Sequence, residues 1–218
     1  VSIELGIVAS TQDEARRRFR DAPLLATADR QTRGRGRLGR GWENAARAVA
    51  ASLAFVPSWP QAAWPALPLV AGLAAREAAG DDVRLKWPND LVVGDRKVGG
   101  ILSEAGDGLV VIGLGINLWW PDPVSGAAAL LPVDPGPEAP QWIAEQWAEG
   151  LLVRVGSPAG SWGREDYQAV CDTIGRDLAW EPAGRGRAVG IDAEGGLIVE
   201  TAEGTETLRA GEVREVRG

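Results

Sequence analysis

The sequence contains no histidine, no methionine, one cysteine, one tyrosine and two phenylalanines. Without imidazole there is no Ser-His-Asp or Cys-His catalysis and no His-based zinc site. A single thiol, Cys171, excludes an intramolecular disulfide and a cysteine-rich metal cluster. Cys171 is expected to be a small buried hydrophobe, and a cytoplasmic location follows as the natural reading. No uninterrupted apolar run is long enough to span a bilayer. Val1 to Gly6 lacks the basic-then-apolar layout of a secretory signal. An overall basic balance is also missing. The net charge of −7 argues against general affinity for nucleic acid, which needs a cationic face to neutralise phosphates.

Lysine is nearly absent. Of 23 basic residues only Lys86 and Lys97 are lysines, and both fall in one twelve-residue stretch. The many arginines, alanines and glycines fit the codon bias of a GC-rich genome. That bias makes the two surviving lysines notable, because a compact ammonium and a planar guanidinium are not interchangeable beside a phosphate.

What is present allows one large domain, or a medium one with a small appendage. The 218 residues are 45% hydrophobic, and no internal repeat interrupts them. Ser10 or Thr11 reads as a helix cap, followed by acidic residues suited to a first turn. Leu24–Asp29 and Val49–Val56 read as strands, with a Gly/Arg loop over 30–41 between them. Gln61–Ala79 contains an apolar, alanine-rich helix. Strands follow at Val83–Trp87, Leu91–Val93, Lys97–Glu104 and Leu109–Ile116, with hairpin connections at Asp95-Arg96 and Gly106-Asp107-Gly108. Residues 121–140 carry six prolines and read as a long irregular connection. Gln141–Val155 and Arg164–Thr173 read as helices. From Gly175 the pattern changes to closely spaced short strands: Leu178–Glu181, Arg187–Asp192, Leu197–Thr201, Glu206–Arg209 and Val213–Val216. Arg185-Gly186-Arg187 reads as a solvated turn. The expected organisation is a catalytic-sized domain over 1–174 and a small β domain over 175–218.

Two clusters carry chemistry. The first is Arg33-Gly34-Arg35-Gly36-Arg37-Leu38-Gly39-Arg40. Glycines let backbone N–H groups approach an anion, and guanidinium forks grip phosphate or carboxylate oxygens in pairs. The same pattern also suits a solvated basic loop or an arginine/glycine RNA-binding segment, although aromatics for base stacking are missing inside it. The second cluster is Lys86-Trp87-Pro88-Asn89-Asp90, followed by Lys97-Val98-Gly99-Gly100-Ile101-Leu102 and then Gly113-Leu114-Gly115-Ile116-Asn117. Asn and Asp at a strand end offer hard oxygens for Mg²⁺ or a ribose. A lysine opening the next strand can reach a phosphate, and paired glycines leave room for a flat ligand. Each piece alone has a plain alternative: Pro-Asn-Asp makes a good turn, and Gly-x-Gly is weak by itself.

Taken in chain order with Ser10-Thr11 and Gln31, these stretches resemble the biotin–protein ligases, also called holocarboxylase synthetases. Gly211-Glu212-Val213 is similar to the end of that family's C-terminal SH3-like domain, so the resemblance covers essentially the whole chain. It implies an α+β fold: a mixed sheet flanked by helices, of the class II synthetase-like biotin/lipoate ligase type, with a small C-terminal SH3-like barrel. It implies adenylation of biotin by ATP and transfer to a lysine of a carboxylase's biotin carboxyl-carrier domain. ATP with Mg²⁺ and biotin are the expected substrates, with no prosthetic group.

The resemblance also assigns roles. Ser10, Thr11, Gln12 and Gln31 fall to biotin, along with Gly36, Gly99 and Gly100. Arg35 and Arg37 fall to the loop that closes over the biotin carboxylate and the phosphates. Arg40, Lys86, Trp87, Asn89, Asp90 and Asn117 fall to the nucleotide side, with Asp90 as Mg²⁺ ligand. Lys97 is the expected catalytic lysine. One of Trp119 and Trp120 is a candidate to stack on adenine or biotin. Two departures stand out. Gln12 occupies a position that is often asparagine, and the chain begins almost at the Ser-Thr pair. The latter leads to the expectation of a ligase without the helix-turn-helix repressor domain, binding no DNA and no membrane, as a monomer or homodimer. A lipoate–protein ligase or lipoyl transferase shares the adenylating logic and is the nearest alternative. A non-catalytic RNA-binding module is the alternative from another class.

Overall fold

The computed structural model describes residues 1–209 and 213–216. Twelve strands and four α-helices follow the order β1(Ser2–Val8), α1(Thr11–Arg18), β2(Leu24–Gln31), β3(Arg47–Phe55), α2(Leu67–Ala79), β4(Arg84–Lys86), β5(Asp90–Val93), β6(Arg96–Gly106), β7(Leu109–Trp119), α3(Ala139–Gly156), α4(Arg164–Val170), β8(Asp177–Trp180), β9(Gly184–Ile191), β10(Leu197–Thr201), β11(Gly204–Leu208) and β12(Val213–Glu215). The first seven strands form one sheet in the order β1-β2-β3-β7-β6-β5-β4. Only β1 and β2 run parallel, joined through α1, so the sheet is mixed as expected. Strand β1 was not anticipated: it is a half-exposed edge strand whose Ile7 faces solvent, and its hydrophobic alternation is short.

Side-chain alternation gives the sheet two faces. On one, Ala26, Ala54 and Val111 pack with Ala15 of α1. On the other, Leu53, Phe55, Ile112 and Leu114 meet α2 and α3. Helix α2 is apolar nearly all round because it is covered on both sides, by the sheet and by α3. In α3, Ile143, Ala144, Trp147, Ala148, Leu151 and Val155 recur at helical spacing and are buried as a stripe. The 61–79 segment starts as a 3₁₀ turn over Gln61–Ala66, with Pro65 inside it, before becoming α-helical. The last helix ends at Val170, three residues short of the expected Thr173. The chain turns there to lay residues 171–173 along β4, where Asp172 N–H donates to the Leu85 carbonyl. Burial pushes the Cys171 thiol above its ordinary range, in keeping with a buried cysteine.

The C-terminal strands form an antiparallel sheet in the order β11-β10-β9-β8-β12. The expected small barrel is therefore an open sheet among the described residues, with β11 and β12 at its two edges rather than paired to each other. Arg185-Gly186-Arg187, expected as a turn, lies within β9. Gly211 and Glu212 lie outside the described residues. Hydrophobic packing runs without a break across the expected boundary at 174/175: Leu178, Ala188, Leu197 and Val199 belong to the same core as Trp87 and Tyr167.

Candidate active site

The sheet face that carries α1 becomes a cavity beyond that helix's N-terminus. Its volume is ≈ 410 Å³, within the usual range for small-molecule sites of about 300–1,000 Å³. Ser52 stands two residues from Ala54 and Gly113 two from Val111, so alternation puts both on this face. The register sets Gly100 opposite Gly115 and Leu102 opposite Gly113. A Cβ at Gly113 would lie 3.1 Å from Gln12 Oε1, and one at Gly115 would lie 2.8 Å from the Trp42 indole. These two glycines make room for the side chains that wall the cavity.

Ser10, Thr11 and Gln12 project from the start of α1. Ser10 occupies the N-cap position, yet its side chain makes no capping bond. Thr11 Oγ1 donates to Gln31 Oε1 at 3.1 Å and lies 2.8 Å from Ser52 Oγ. The Thr11 backbone N–H also donates to Gln31 Oε1. Asn44 fixes Gln31 in turn, donating to its carbonyl and accepting from its N–H. Gln12 Nε2 faces Glu104 Oε2 at 3.2 Å and the carbonyls of Leu102 and Val111.

The Gly/Arg loop folds over the mouth as a small hairpin. Gly36 N–H donates to the Arg40 carbonyl and Trp42 N–H to the Gly34 carbonyl. The Arg35 guanidinium takes both oxygens of Asp13 at 2.8 and 2.9 Å and lies 3.4 Å from Glu104. The Asp13 carboxyl is held below its ordinary value, first by this hydrogen bond, and the same bond raises Arg35. Arg37 donates to Asn89 Oδ1 at 3.2 Å, and Lys97 Nζ meets Asp90 Oδ1 at 2.5 Å. The two sequence clusters therefore converge on one cavity, which Arg35, Arg37, Arg40, Asn89, Asp90 and Lys97 all line.

Of the sixteen positions that the sequence assigns to the site, the structure gathers thirteen around it: Ser10, Thr11, Gln12, Gln31, Arg35, Gly36, Arg37, Arg40, Asn89, Asp90, Lys97, Gly100 and Asn117. The remaining three stand apart. Lys86 pairs with Asp90 across the β4–β5 ladder and does not line the cavity. Trp87 is buried in the main core. Gly99 turns to the other face, where a Cβ would strike the Gly115 carbonyl at 2.5 Å. Of the tryptophan pair, Trp120 lines the cavity. Sequence reading did not single out Asp13, Trp42, Glu43, Ser52 or Glu104 as site residues. The alternation of β3 and β6 could have marked Ser52 and Glu104 as polar residues on a buried face; nothing in the sequence pairs Asp13 with Arg35.

Among the described residues, the buried side-chain atoms without a hydrogen-bond partner are Ser10 Oγ, Gln12 Oε1, Trp42 Nε1 and Asn117 Oδ1, all on cavity-lining residues, and Arg76 Nε. Such groups cost about 1–3 kcal/mol each when nothing satisfies them. Asn117 is held in place, since its Nδ2 donates to the Ala128 carbonyl at 3.1 Å.

Comparison with known proteins agrees with this geometry. Residues 5–117 match the Biotin/lipoate A/B protein ligase family, and residues 181–214 match the Biotin protein ligase C terminal domain. A biotin–[acetyl-CoA-carboxylase] ligase of Mycobacterium tuberculosis is 34% identical over 89% of this chain and 79% of its own length. The bifunctional ligase/repressor BirA of Bacillus subtilis is 31% identical over 95% of this chain and 71% of its own. Among solved structures, a biotin protein ligase from Aquifex aeolicus in complex with biotin and ATP superimposes with a TM-score of 0.79 at 27% identity, covering 100% of this chain and 99% of that one. With its fold and sequence matched along nearly the whole length, the chain belongs to the biotin/lipoate protein ligase family and carries the C-terminal domain of the biotin protein ligases.

Proposed function

We propose that the chain adenylates biotin with ATP to form biotinyl-5′-AMP and transfers the biotinyl group to a lysine of a biotin carrier domain. The observation that carries the choice of biotin is the pair of buried, unpartnered oxygens on Ser10 and Gln12. A ureido ring offers N–H donors and a carbonyl acceptor to such groups. The dithiolane ring of lipoate offers neither and would leave them unsatisfied. The RNA-binding reading loses its basis because Arg35 and Arg37 are turned onto Asp13, Glu104 and Asn89 around the cavity.

A carboxylate is a poor acyl donor, so the first step activates it. A biotin carboxylate oxygen attacks the α-phosphorus, and the bond to pyrophosphate breaks. Two anions must meet, and Arg35, Arg37, Arg40 and Lys97 concentrate positive charge where they do. Asp90 aims the Lys97 ammonium, and Asn89 aims Arg37. In the second step an uncharged lysine amine attacks the acyl carbon, the bond to AMP breaks, and the amine proton is released. Among the described residues no three His, Cys, Asp or Glu cluster as a dedicated metal site. Asp90, with Asn89 beside it, would be the protein's oxygen ligand for a magnesium ion through the carboxylate oxygen that Lys97 does not hold. Such an ion would screen phosphate charge. The partner of this reading is a biotin carboxyl-carrier domain of a carboxylase, and its location is cytoplasmic. No helix among the described residues is long and apolar enough to cross a membrane.

The test incubates the protein with biotin, Mg-ATP and a carrier domain and follows the carrier by mass spectrometry. One biotinyl group on one lysine is expected. The Lys97→Arg variant should lose about two orders of magnitude in biotin-dependent ATP–pyrophosphate exchange. Thermal protection by lipoate rather than biotin, or an unmodified carrier, would refute the assignment.

A further inference from the structure

Trp87 sits inside a motif that faces the cavity, yet it is only 3% exposed and does not line the site. It is held from two directions by residues far along the chain. Its backbone N–H donates to Thr173 Oγ1 at 2.9 Å, and its indole N–H donates to the Gly195 carbonyl at 3.0 Å, both buried. Gly195 belongs to the tight turn between β9 and β10. That turn is rigid on its own account: Asp192 Oδ1 accepts from the backbone N–H groups of Glu194 and Gly196. It is also pressed hard against the first domain. Gly195 has φ +88, and a Cβ there would lie 3.2 Å from Ala66 Cα. A second indole, Trp162, donates to the Ala193 carbonyl at 2.9 Å.

From Trp87 the chain runs through Pro88 directly into Asn89 and Asp90. Asn89 is fixed to β6 at two points, its carbonyl accepting from Ile101 N–H and its Nδ2 donating to the Ile101 carbonyl. Its Oδ1 receives Arg37, and Asp90 receives Lys97. An unbroken series of bonds thus links a turn of the C-terminal sheet to the pair of side chains that aim the two central cations.

We propose that Trp87 is a positioning residue, through which docking of the 192–196 turn sets Asn89 and Asp90 for the nucleotide. The proposal rests on the ligase reading for its kinetic consequence, not for its structural one. Without the turn, the buried indole N–H of Trp87 loses its acceptor, and the segment that follows loses a reference point. Thr173 acts on the same residue from the linker.

The test compares Trp87→Phe and Thr173→Val with Trp162→Phe in the full chain. Trp162→Phe deletes the same kind of bond to the same turn, but away from the site. In biotin-dependent ATP–pyrophosphate exchange, Trp87→Phe and Thr173→Val should raise KM for ATP about tenfold while KM for biotin moves less than about twofold. Trp162→Phe should leave both near wild type, and Thr173→Ser, which keeps the hydroxyl, should restore ATP binding. Hydrogen–deuterium exchange of the ligand-free proteins should be faster over 89–101 in Trp87→Phe and Thr173→Val alone. Equal effects of Trp87→Phe and Trp162→Phe, in kinetics or in exchange, would reduce Trp87 to core packing and overturn the proposal. A wild-type protein without biotin-dependent exchange would instead defeat the ligase reading, and the hydrogen-exchange comparison would still decide the role of Trp87.

Discussion

At the scale of single residues, the cavity mouth is governed by how one guanidinium is shared. Arg35 is gripped by Asp13 from the first turn of α1 and approached by Glu104 from β6, and Glu104 also faces Gln12. The loop cation and the cavity wall therefore belong to one network, which Gln12 reaches with its longer side chain. Because hydrogen bonding lowers the Asp13 carboxyl, the ion pair stabilises the fold above that group's ordinary value of 3.8 and is lost as pH falls through the lower folded value. Asp13 is more than half exposed, so solvent limits the gain to about 1 kcal/mol or less. Asp13→Asn should thus lower the thermal midpoint slightly at neutral pH. The gap from wild type should close as pH drops below 3.8; a gap that persists there would place the effect elsewhere. Read from local spacing alone, the acidic residues after Thr11 suit a helix's first turn and Ser10 or Thr11 its cap; only the resemblance gives Ser10 and Thr11 a role toward biotin. What local spacing lacks is Gln31, Ser52 and Arg35, which are brought to α1 only by the sheet.

At the scale of elements, the arginine loop is a flap over the cavity mouth and the proline-rich segment a strap. The flap's exposed tip holds Leu38 at φ 57, a left-handed conformation that costs a non-glycine residue about 1–2 kcal/mol. Its base is fixed by Trp42 over Gly115. An exposed tip in a strained conformation beside a fixed base should open readily. Trypsin should cut at Arg37 or Arg40 quickly in the free protein and several-fold more slowly with biotin and ATP bound, as read by peptide mass. Equal rates would contradict closure over ligand. The strap, residues 121–138, is irregular but tied down: Arg47 grips Asp134 with two bonds at 3.0 Å, and the Ala128 and Leu130 N–H groups donate to the Lys97 and Asn117 carbonyls. The six prolines of 121–140, five of them in the strap, made its lack of regular structure legible. Its attachment beside Lys97 and Asn117 was not legible, because those bonds use backbone groups that carry no sequence signature.

At the scale of the whole molecule, one core joins the two expected domains. Leu151 of α3 lies fully buried within it, beside the strands that floor the cavity. Leu151→Ala should cost about 2–5 kcal/mol in urea unfolding, with a single transition for both parts if the shared core makes them cooperative. Two separated transitions would show the C-terminal sheet folding independently. The open C-terminal sheet illustrates a limit of reading by pattern: alternation and turn signals identify short antiparallel strands, while closure depends on where the first and last strands end in space.

The sequence by itself determined the kinds of elements, because hydrophobic periodicity and glycine turns act over neighbouring residues. It also determined the chemistry on offer, through an arginine/glycine loop, two lysines and no histidine. Only the tertiary structure decided which groups meet. Arg37 finds Asn89, and Lys97 finds Asp90, because a seven-stranded register sets β5, β6 and β7 beside one another. Trp87 left its motif for the core for the same reason: the face that a side chain takes is fixed by the strands and turns packed around it, not by the residues next to it in the chain.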